Sequence, residues 1–364
     1  MRPSYPAKRF LIVNPFGIGD VLFSFPLITA IKEHCPESEI VYLCNARTRA
    51  LVADHPQISA VIVYERDAMV RLKEQSILSW AKGYGDLITA IRTLRITACF
   101  DLSMNRLFGF LAMAAGVSRR YGFDYKGRGI FLTHRIPLAG FEGKHVTEWY
   151  GDVVRAAGIP VVIKGLKVFY SPQARAVAEA FMAKHGLVRG TWVGIAPLGG
   201  QTFGNNAVAK QWPLEDYAAL IRLIVKERGK RVVLFGSAVE REGMEDLKQR
   251  CGLAEGDIAI ASDLAINETT ALIDACGWFI SNDTGLLRIA DACALPCLAI
   301  LGPVDDMTYG LYPYDGARHR MLCTKPPCWP CYRRFRLAVC DKDYVCIRGV
   351  SVDASMQALK GLGL

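Results

Sequence analysis

The sequence predicts an α/β protein made of two doubly wound domains facing a cleft, and three observations carry that expectation. Short apolar β-type runs alternate with helical runs along nearly the whole chain, the signature of βαβ units on a parallel sheet with helices on both faces. The pattern runs through about the first 165 residues and then restarts. Finally, 364 residues, 51% of them hydrophobic and 22% charged, suit two globular domains with sizeable cores and exclude collagen, coiled coil and global disorder.

In the first domain, Phe10–Val13 reads as a buried strand and Val21–His34 as a helix, with apolar residues at near-helical spacing. Ile40–Leu43 and Val61–Tyr64 read as the next strands, Leu87–Leu94 as a helix and Ala98–Leu102 as a strand. Tyr121–Gly143 is broken by glycines and lacks clear periodicity, so it is expected to be loop; His145–Ala157 should be a helix closing the unit. The pattern resumes with a helix over Gln173–His185 and a strand over Trp192–Ala196. Pro213 suits the first turn of a helix through Lys226, where its missing N–H is harmless. Strands are then expected at Arg231–Phe235, Trp278–Ser281 and Cys297–Leu301, with helices at Val239–Arg250, Glu268–Cys276 and Gly285–Cys293. The expected division is residues 1–165, a linker over 166–190, a second domain over 191–346 with a Cys-rich segment at 323–346, and a C-terminal helix over 347–364.

Charge and apolar patterning narrow the function classes. The formal charge of +9 is uneven: residues 1–165 carry 21 Lys/Arg against 14 Asp/Glu, and residues 166–364 carry 23 against 21. The basic half suggests an anionic partner: nucleic acid, an acidic lipid surface or a phosphorylated substrate. The longest apolar stretch, Leu286–Val304, is interrupted by Arg288, Asp291 and Pro296 and does not reach the roughly 20 residues of a membrane span. Phe10–Val13 runs straight into Gly17, Gly19 and Asp20, unlike a signal-peptide core, so a cytoplasmic protein is expected. Of the 12 cysteines, those from Cys35 to Cys323 occur singly and read as small buried hydrophobes.

Four segments carry chemistry. Asn14-Pro15-Phe16-Gly17-Ile18-Gly19-Asp20 follows the first strand and opens a helix, where glycines let a ligand approach and helix N–H groups face it. Asp20 there is either a base, a helix N-cap or a first-turn partner of the helix dipole. Ser281-Asn282-Asp283-Thr284-Gly285 joins a strand to a helix, and is either a cap or a diphosphate-binding turn. Gly199-Gly200-Gln201-Thr202 with Lys210-Gln211-Trp212-Pro213 is a phosphate loop with a cation, or a flexible loop before a helix. Glu240, just after a strand, suits ribose hydroxyls or a helix dipole. No complete dinucleotide fingerprint follows either domain's first strand, which argues against a nicotinamide-dependent dehydrogenase.

Taken together, these motifs resemble glycosyltransferase family 9, the heptosyltransferases, over essentially the whole chain. The resemblance rests on Gly17-Ile18-Gly19-Asp20-Val21-Leu22 with Pro26-Leu27, Lys210-x-Trp212-Pro213, Phe235-Gly236-x-x-x-Glu240, and Asp283-Thr284-Gly285 followed by Ala294-Leu295-Pro296 and Gly302-Pro303. It implies the GT-B fold of two Rossmann-like domains, with the acceptor on the N-terminal one and the nucleotide sugar on the other. It implies inverting transfer of heptose or a related sugar from ADP-heptose to lipopolysaccharide core or another surface glycan, with no cofactor required for catalysis. Asp20 matches the family's base; Lys210 matches the donor-phosphate contact, Glu240 the nucleoside carboxylate, and Asp283, Thr284 and Gly285 the diphosphate turn, with Gly19 and Thr202 near the donor. Arg288 stands where the family usually has His; as a donor-binding residue it would hold phosphate bidentately, a departure that bears on donor choice. The implied partners are the nucleotide sugar, an anionic glycolipid acceptor and the cytoplasmic face of the inner membrane, but no nucleic acid. A protein heptosyltransferase or another nucleotide-sugar transferase, and a non-catalytic sugar-nucleotide or glycan binder, are the competing readings.

Cys328-Trp329-Pro330-Cys331, Cys340 and Cys346 cluster in a basic segment. Four thiolates suit tetrahedral zinc or iron, although the spacing is not a standard ribbon; packed thiols and disulfides are the alternatives. The autotransporter branch of the resembling family is associated with Cys-bound iron, which points the same way.

Overall fold

The computed structural model describes residues 8–199 and 207–364. The chain divides into unit 1, Met1–Phe141 with Val146–Lys164, and unit 2, Glu142–His145 with Gly165–Leu364.

Unit 1 contains strands β1 (Arg9–Val13), β2 (Glu39–Cys44), β3 (Ala60–Val63), β4 (Ala98–Asp101), β5 (Arg119–Tyr125) and β6 (His134–Leu138). They form one sheet in the order β3-β2-β1-β4-β5-β6, every neighbouring pair parallel. Its helices are α1 (Ile18–His34), α2 (Arg49–Ala53), α3 (Arg66–Gln75), α4 (Ile77–Thr93), α5 (Arg106–Ala114) and α6 (Val146–Arg155). From Phe10 to Val13 strand β1 is an unbroken apolar run because both faces of a parallel sheet are covered. On one face Leu11, Val13, Leu43 and Cys99 pack with Leu87 and Ile91 of α4 and with Phe108 and Leu111 of α5. Helix α1 packs against α6, and buries a nearly continuous run from Val21 to Ile28.

The stretch Tyr121–Gly143, expected as loop, instead contributes most of β5 and all of β6. Glycine obscured the period. Gly122 lies inside β5 because a Cβ there would meet the Asp101 carbonyl at 2.6 Å, a close-approach requirement that composition reads as a turn.

Unit 2 contains α7 (Pro172–Lys184), β7 (Val193–Ala196), α8 (Leu214–Arg228), β8 (Val232–Phe235), α9 (Arg241–Cys251), β9 (Ile258–Ala261), α10 (Ile266–Ile273), β10 (Trp278–Asn282), α11 (Gly285–Ala292), β11 (Cys297–Ile300), α12 (Asp306–Tyr309) and β12 (His319–Leu322). A short hairpin of β13 (Tyr332–Arg333) and β14 (Arg336–Leu337) follows, then α13 (Val345–Arg348) and α14 (Val352–Lys360). Helix α7, within the stretch expected as linker, packs on α10. The sheet order is β12-β11-β10-β7-β8-β9, again all parallel. Counted from its own first strand, unit 2 repeats the order of unit 1. Each unit is Rossmann-like, and the fold class is the expected GT-B. In such sheets ligands bind beyond the strand C-termini where the order reverses, which is between β1 and β4 in unit 1 and between β7 and β10 in unit 2.

Candidate active site

At the switch point of unit 1, the turn leaving β1 is held by buried asparagines. The Asn14 N–H bonds to the Leu43 carbonyl at 2.9 Å, and its side-chain amide donates to the Asp20 carbonyl at 2.9 Å. Asn45 Nδ2 donates to the carbonyls of Pro15 and Phe16 at 3.1 and 2.6 Å. Gly17 is the N-cap of α1, so Gly19 and Asp20 fall in the first helical turn and Asp20 is not the cap. The half-buried Asp20 carboxylate accepts from the hydroxyl of Tyr150 at 3.1 Å. Tyr150 comes from α6 and is itself fully buried, so it holds the carboxylate from a rigid base. It was missed from sequence; the available signal was a Tyr on the inward face of an amphipathic helix, whose hydroxyl needs a partner.

Across the same switch point, β4 ends at Asp101, paired in register with Val13. Burial pushes the Asp101 carboxyl up to about 6, against hydrogen bonds from Ser103 N and Oγ at 2.9 and 2.5 Å. A cavity of about 450 Å³ lined by Lys8, His34 and Arg119 lies in unit 1 at the N-terminal ends of the strands, the opposite rim from Asp20.

The switch point of unit 2 gathers most of the expected donor residues. Strand β10 ends in Asn282, whose amide donates to the Pro197 carbonyl at 2.8 Å and accepts from Trp212 N at 3.2 Å and Tyr217 Oη at 3.0 Å. One buried side chain thus ties the end of β7 to the Lys-x-Trp-Pro turn. The Trp212 ring is buried edge-on against Tyr217, centroids 4.9 Å apart, and its Nε1 donates to the Val350 carbonyl at 2.9 Å. Pro213 is the N-cap of α8, one residue earlier than expected. Anchored this way, Lys210 places its Nζ 2.5 Å from Asp283 Oδ2.

Asp283 lies between two cations. Arg288 Nη2 is 2.5 Å from its other oxygen, Oδ1. Burial disfavours the charged carboxylate, but Lys210 and Arg288 outweigh it and hold Asp283 down at about 2. The Arg288 guanidinium, at 3% side-chain exposure, also donates to the carbonyls of Gly310 (2.7 Å) and Tyr309. It therefore joins the Asp283 turn to the end of α12. His145, stacked on Tyr312 with centroids 4.3 Å apart, lies within hydrogen-bond distance of the same Gly310 carbonyl. Burial first, then the nearby Arg288 charge, pushes its imidazole down to about 3, so it is neutral.

Thr284 is the N-cap of α11, its Oγ1 accepting from Leu287 N at 3.3 Å and lying 2.9 Å from Ser281 Oγ. Gly285 begins the helix, whose first N–H groups lack intrahelical acceptors. Gly199 sits at φ +116°, and a Cβ there would strike Thr284, so the two turns touch only because the residue is glycine. Next to them Leu198, Gly199, Ala207, Gln211, Val239 and Glu240 line a pocket of about 450 Å³. Glu240 completes a capping box, its Oε2 accepting from Ser237 N and Oγ at 2.8 Å each. Gln201 and Thr202 lie outside the described residues.

All 12 cysteines are free thiols. Cys331 lies beside Cys328 and Cys340, and burial with these neighbours pushes its thiol up. Burial pushes the Cys346 thiol up to about 11, and Cys323, Cys331 and Cys340 are close enough to add to the effect. The four expected ligands thus share a neighbourhood that also takes in Cys323. Among the described residues, however, no three His, Cys, Asp or Glu side chains converge as a metal cage.

The family model of glycosyltransferase family 9 (heptosyltransferase) matches residues 100–338. The chain belongs to that family. This family-9 protein is a glycosyltransferase, and the match spans Lys210, Glu240 and the Asp283–Arg288 turn. It is 26% identical over 310 residues to lipooligosaccharide heptosyltransferase 2 of Haemophilus influenzae, covering 81% of this chain and 83% of that protein. Among solved structures it is similar to the E. coli ADP-heptose LPS heptosyltransferase II, with TM-score 0.74 and 19% identity over 97% of this chain and 98% of the other. A more distant likeness is to the iron-containing dodecameric glycosyltransferase TibC of enterotoxigenic E. coli, with TM-score 0.57 and 13% identity over 98% of this chain and 76% of the other. Among the described residues no helix is long and apolar enough to cross a membrane.

Proposed function

We propose that this family-9 enzyme transfers heptose from ADP-heptose to an anionic core-lipopolysaccharide acceptor at the cytoplasmic face of the inner membrane, with inversion at the anomeric carbon. The observation that carries the reading is Lys210, fixed by Asp283 beside the N-terminus of α11 at the switch point of unit 2. In the proposed step Asp20 takes the proton of an acceptor hydroxyl as its oxygen attacks the anomeric carbon. The bond from that carbon to the diphosphate oxygen breaks, and ADP leaves with the electron pair. The charge growing on the departing diphosphate faces Lys210 and the α11 N–H groups of Thr284 and Gly285, preorganised for it. Glu240 and its pocket take the nucleoside, with Gly19 and Thr202 assigned to the donor as well.

Arg288 is assigned a positioning role. Its guanidinium faces Asp283 and two carbonyls, so it acts on the donor through Asp283 and Lys210. The test is ADP release from ADP-heptose with and without a lipopolysaccharide-core acceptor. Turnover that needs the acceptor, is lost in Asp20→Asn and is weakened through donor affinity in Lys210→Met is the expected result. Wild-type turnover in Asp20→Asn removes Asp20 as the base. Donor binding without turnover favours a non-catalytic binder, and transfer to a protein alone favours a protein heptosyltransferase.

A structural zinc or iron ion at Cys328, Cys331, Cys340 and Cys346 is a separate proposal: Cys331 has Cys328 and Cys340 for neighbours and Cys346 has Cys331 and Cys340, although no three thiols among the described residues converge as a cage. Stoichiometric metal in purified protein, absent from Cys328→Ser/Cys331→Ser, is expected. A metal-free protein of full stability excludes it. No catalytic step is assigned to the metal.

A further inference from the structure

Helices α3 and α4 form a hairpin that buries little of itself. No residue of α3 is buried, and on α4 only Leu87 and Ile91 are, both in its C-terminal half. The two helices pack closely where Met69 and Leu72 meet Gly83. Ser76 turns the chain between them, its Oγ accepting from Ser79 N at 2.9 Å. Just past the turn, Ile77 and Leu78 are 74% and 83% exposed, with exposed Trp80 one turn on and exposed Val70 on α3. Two consecutive aliphatic side chains this exposed have no role in holding the hairpin together.

Topology fixes where this tip stands. Helix α4 leads into the N-terminal end of β4, so its own N-terminus points toward the C-terminal rim of the sheet, the rim of Asp20. Its 17 residues span about 25 Å at 1.5 Å per residue. The four residues of β4 span about 13 Å. The first turns of α4 therefore project beyond the rim on which the acceptor is proposed to sit.

The basic excess of the first 165 residues lies in the stretch of sequence that the hairpin opens: residues 66–135 hold 12 Lys/Arg against 5 Asp/Glu. The hairpin itself contributes Arg66, Arg71, Lys73, Lys82 and Arg92 against Asp67, Glu74 and Asp86. None of these basic residues is in an ion pair among the described residues. Arg71, Lys73 and Lys82 lie on the hairpin itself. Protruding aliphatics, an interfacial tryptophan and unpaired cations together match an anionic bilayer surface. A nucleic-acid backbone would use the cations and leave Ile77 and Leu78 in water.

We propose that the α3–α4 hairpin docks unit 1 on anionic phospholipid, Ile77 and Leu78 entering the headgroup–acyl boundary while Arg71, Lys73 and Lys82 face the lipid phosphates. This deepens the proposed membrane-borne acceptor by naming the surface that meets the membrane, and it rests on that reading. The test is cosedimentation of the full-length protein with phosphatidylcholine vesicles, with and without phosphatidylglycerol. It is run beside donor binding and ADP release with a delipidated, water-soluble core acceptor. The wild type should sediment with phosphatidylglycerol vesicles, less so as salt rises, and little with phosphatidylcholine alone. Ile77→Ser/Leu78→Ser and Lys73→Glu/Lys82→Glu should each lower vesicle binding by about tenfold or more. Both should keep wild-type thermal unfolding, donor affinity and turnover of the soluble acceptor. Wild-type protein that stays in the supernatant, or variants that sediment like wild type, overturn the docking surface while soluble-acceptor turnover leaves the enzymatic reading standing. Vesicle binding without donor binding does the reverse. If the hairpin instead captures another protein, vesicle binding is absent and the proposal fails.

Discussion

At the β1/β4 switch point the charge assigned to catalysis is one half-buried carboxylate, Asp20, steadied by the neutral hydroxyl of Tyr150. At the β7/β10 switch point the charges are three, buried Lys210 and Arg288 with the partly buried Asp283 between them, each cation within 2.5 Å of one carboxylate oxygen. The strand order is the same, so the difference lies in the turns. A group that must gain and lose a proton needs a mobile charge state and access to its substrate. A group that meets a diphosphate needs a fixed charge, and here a carboxylate fixes it in place: with Asp283 held at about 2, its two ion pairs keep their anion through neutral pH. The stability from this depressed carboxylate is present above the ordinary carboxylate range and is lost only as pH falls toward 2.

Removing the mobile charge breaks the comparison most sharply. Asp20→Asn keeps the shape and the Tyr150 contact but cannot take a proton. Turnover should fall by about 10²- to 10⁴-fold with donor affinity unchanged. Single-turnover rates beside ADP-heptose titration measure both. A fall in donor affinity equal to the fall in rate would move Asp20 from base to donor ligand.

The second prediction uses the other carboxylate at unit 1's switch point. Asp101 ionises in the folded state at about 6, above its ordinary value of 3.8, because burial disfavours the charge. Its folded form binds the proton more tightly than its unfolded form, so ionisation at higher pH destabilises the fold. Wild-type unfolding free energy should decline from pH 4 to 7 by on the order of 3 kcal/mol relative to Asp101→Asn, which lacks the titration. Urea unfolding across that range checks it; parallel curves for the two proteins would place the carboxylate in a wetter setting.

Next comes the fixed charge. Lys210→Met should weaken donor binding by about ten- to a hundredfold, because a charge-assisted phosphate contact is lost. Turnover at saturating donor should fall less than in Asp20→Asn. The variant also leaves Asp283 with Arg288 as its remaining ion-pair partner among the described residues, so thermal unfolding must be followed alongside.

How much of this was legible in the sequence depended on how local the signal was. Glu240 and the Asp283–Gly285 turn follow strands whose apolar runs were plain, and Lys210 precedes a helix start that Pro213 marks. Strands β5 and β6 were hidden because Gly122 serves a backbone contact made by Asp101, which is distant in sequence. Arg288 was visible as a departure from the family pattern, but not its destination. Its carbonyl partners at Tyr309 and Gly310 lie 21 and 22 residues away, beyond any local rule. Tyr150 and Asn282 were missed for the same reason: each is polar at one buried atom, and only the fold names its partner. The basic excess of the first half was legible as a number; the hairpin that displays part of it was not, because α3 and half of α4 lack the apolar period that burial imposes.

The smallest effect tests whether Asp20 needs its support. Tyr150→Phe removes one hydroxyl from a residue that stays packed near Phe123 and Phe141, so the fold should be unaffected beyond about 1 kcal/mol. The carboxylate loses one of its hydrogen bonds and some of its orientation. Turnover should fall severalfold, far less than in Asp20→Asn, with donor affinity unchanged. In the Asp20→Asn background the same substitution should do almost nothing, because a hydroxyl that acts through Asp20 has nothing left to orient. An additive loss in the double variant would mean that Tyr150 touches the acceptor itself, and the neutral partner of unit 1's carboxylate would then be a second substrate contact rather than a support.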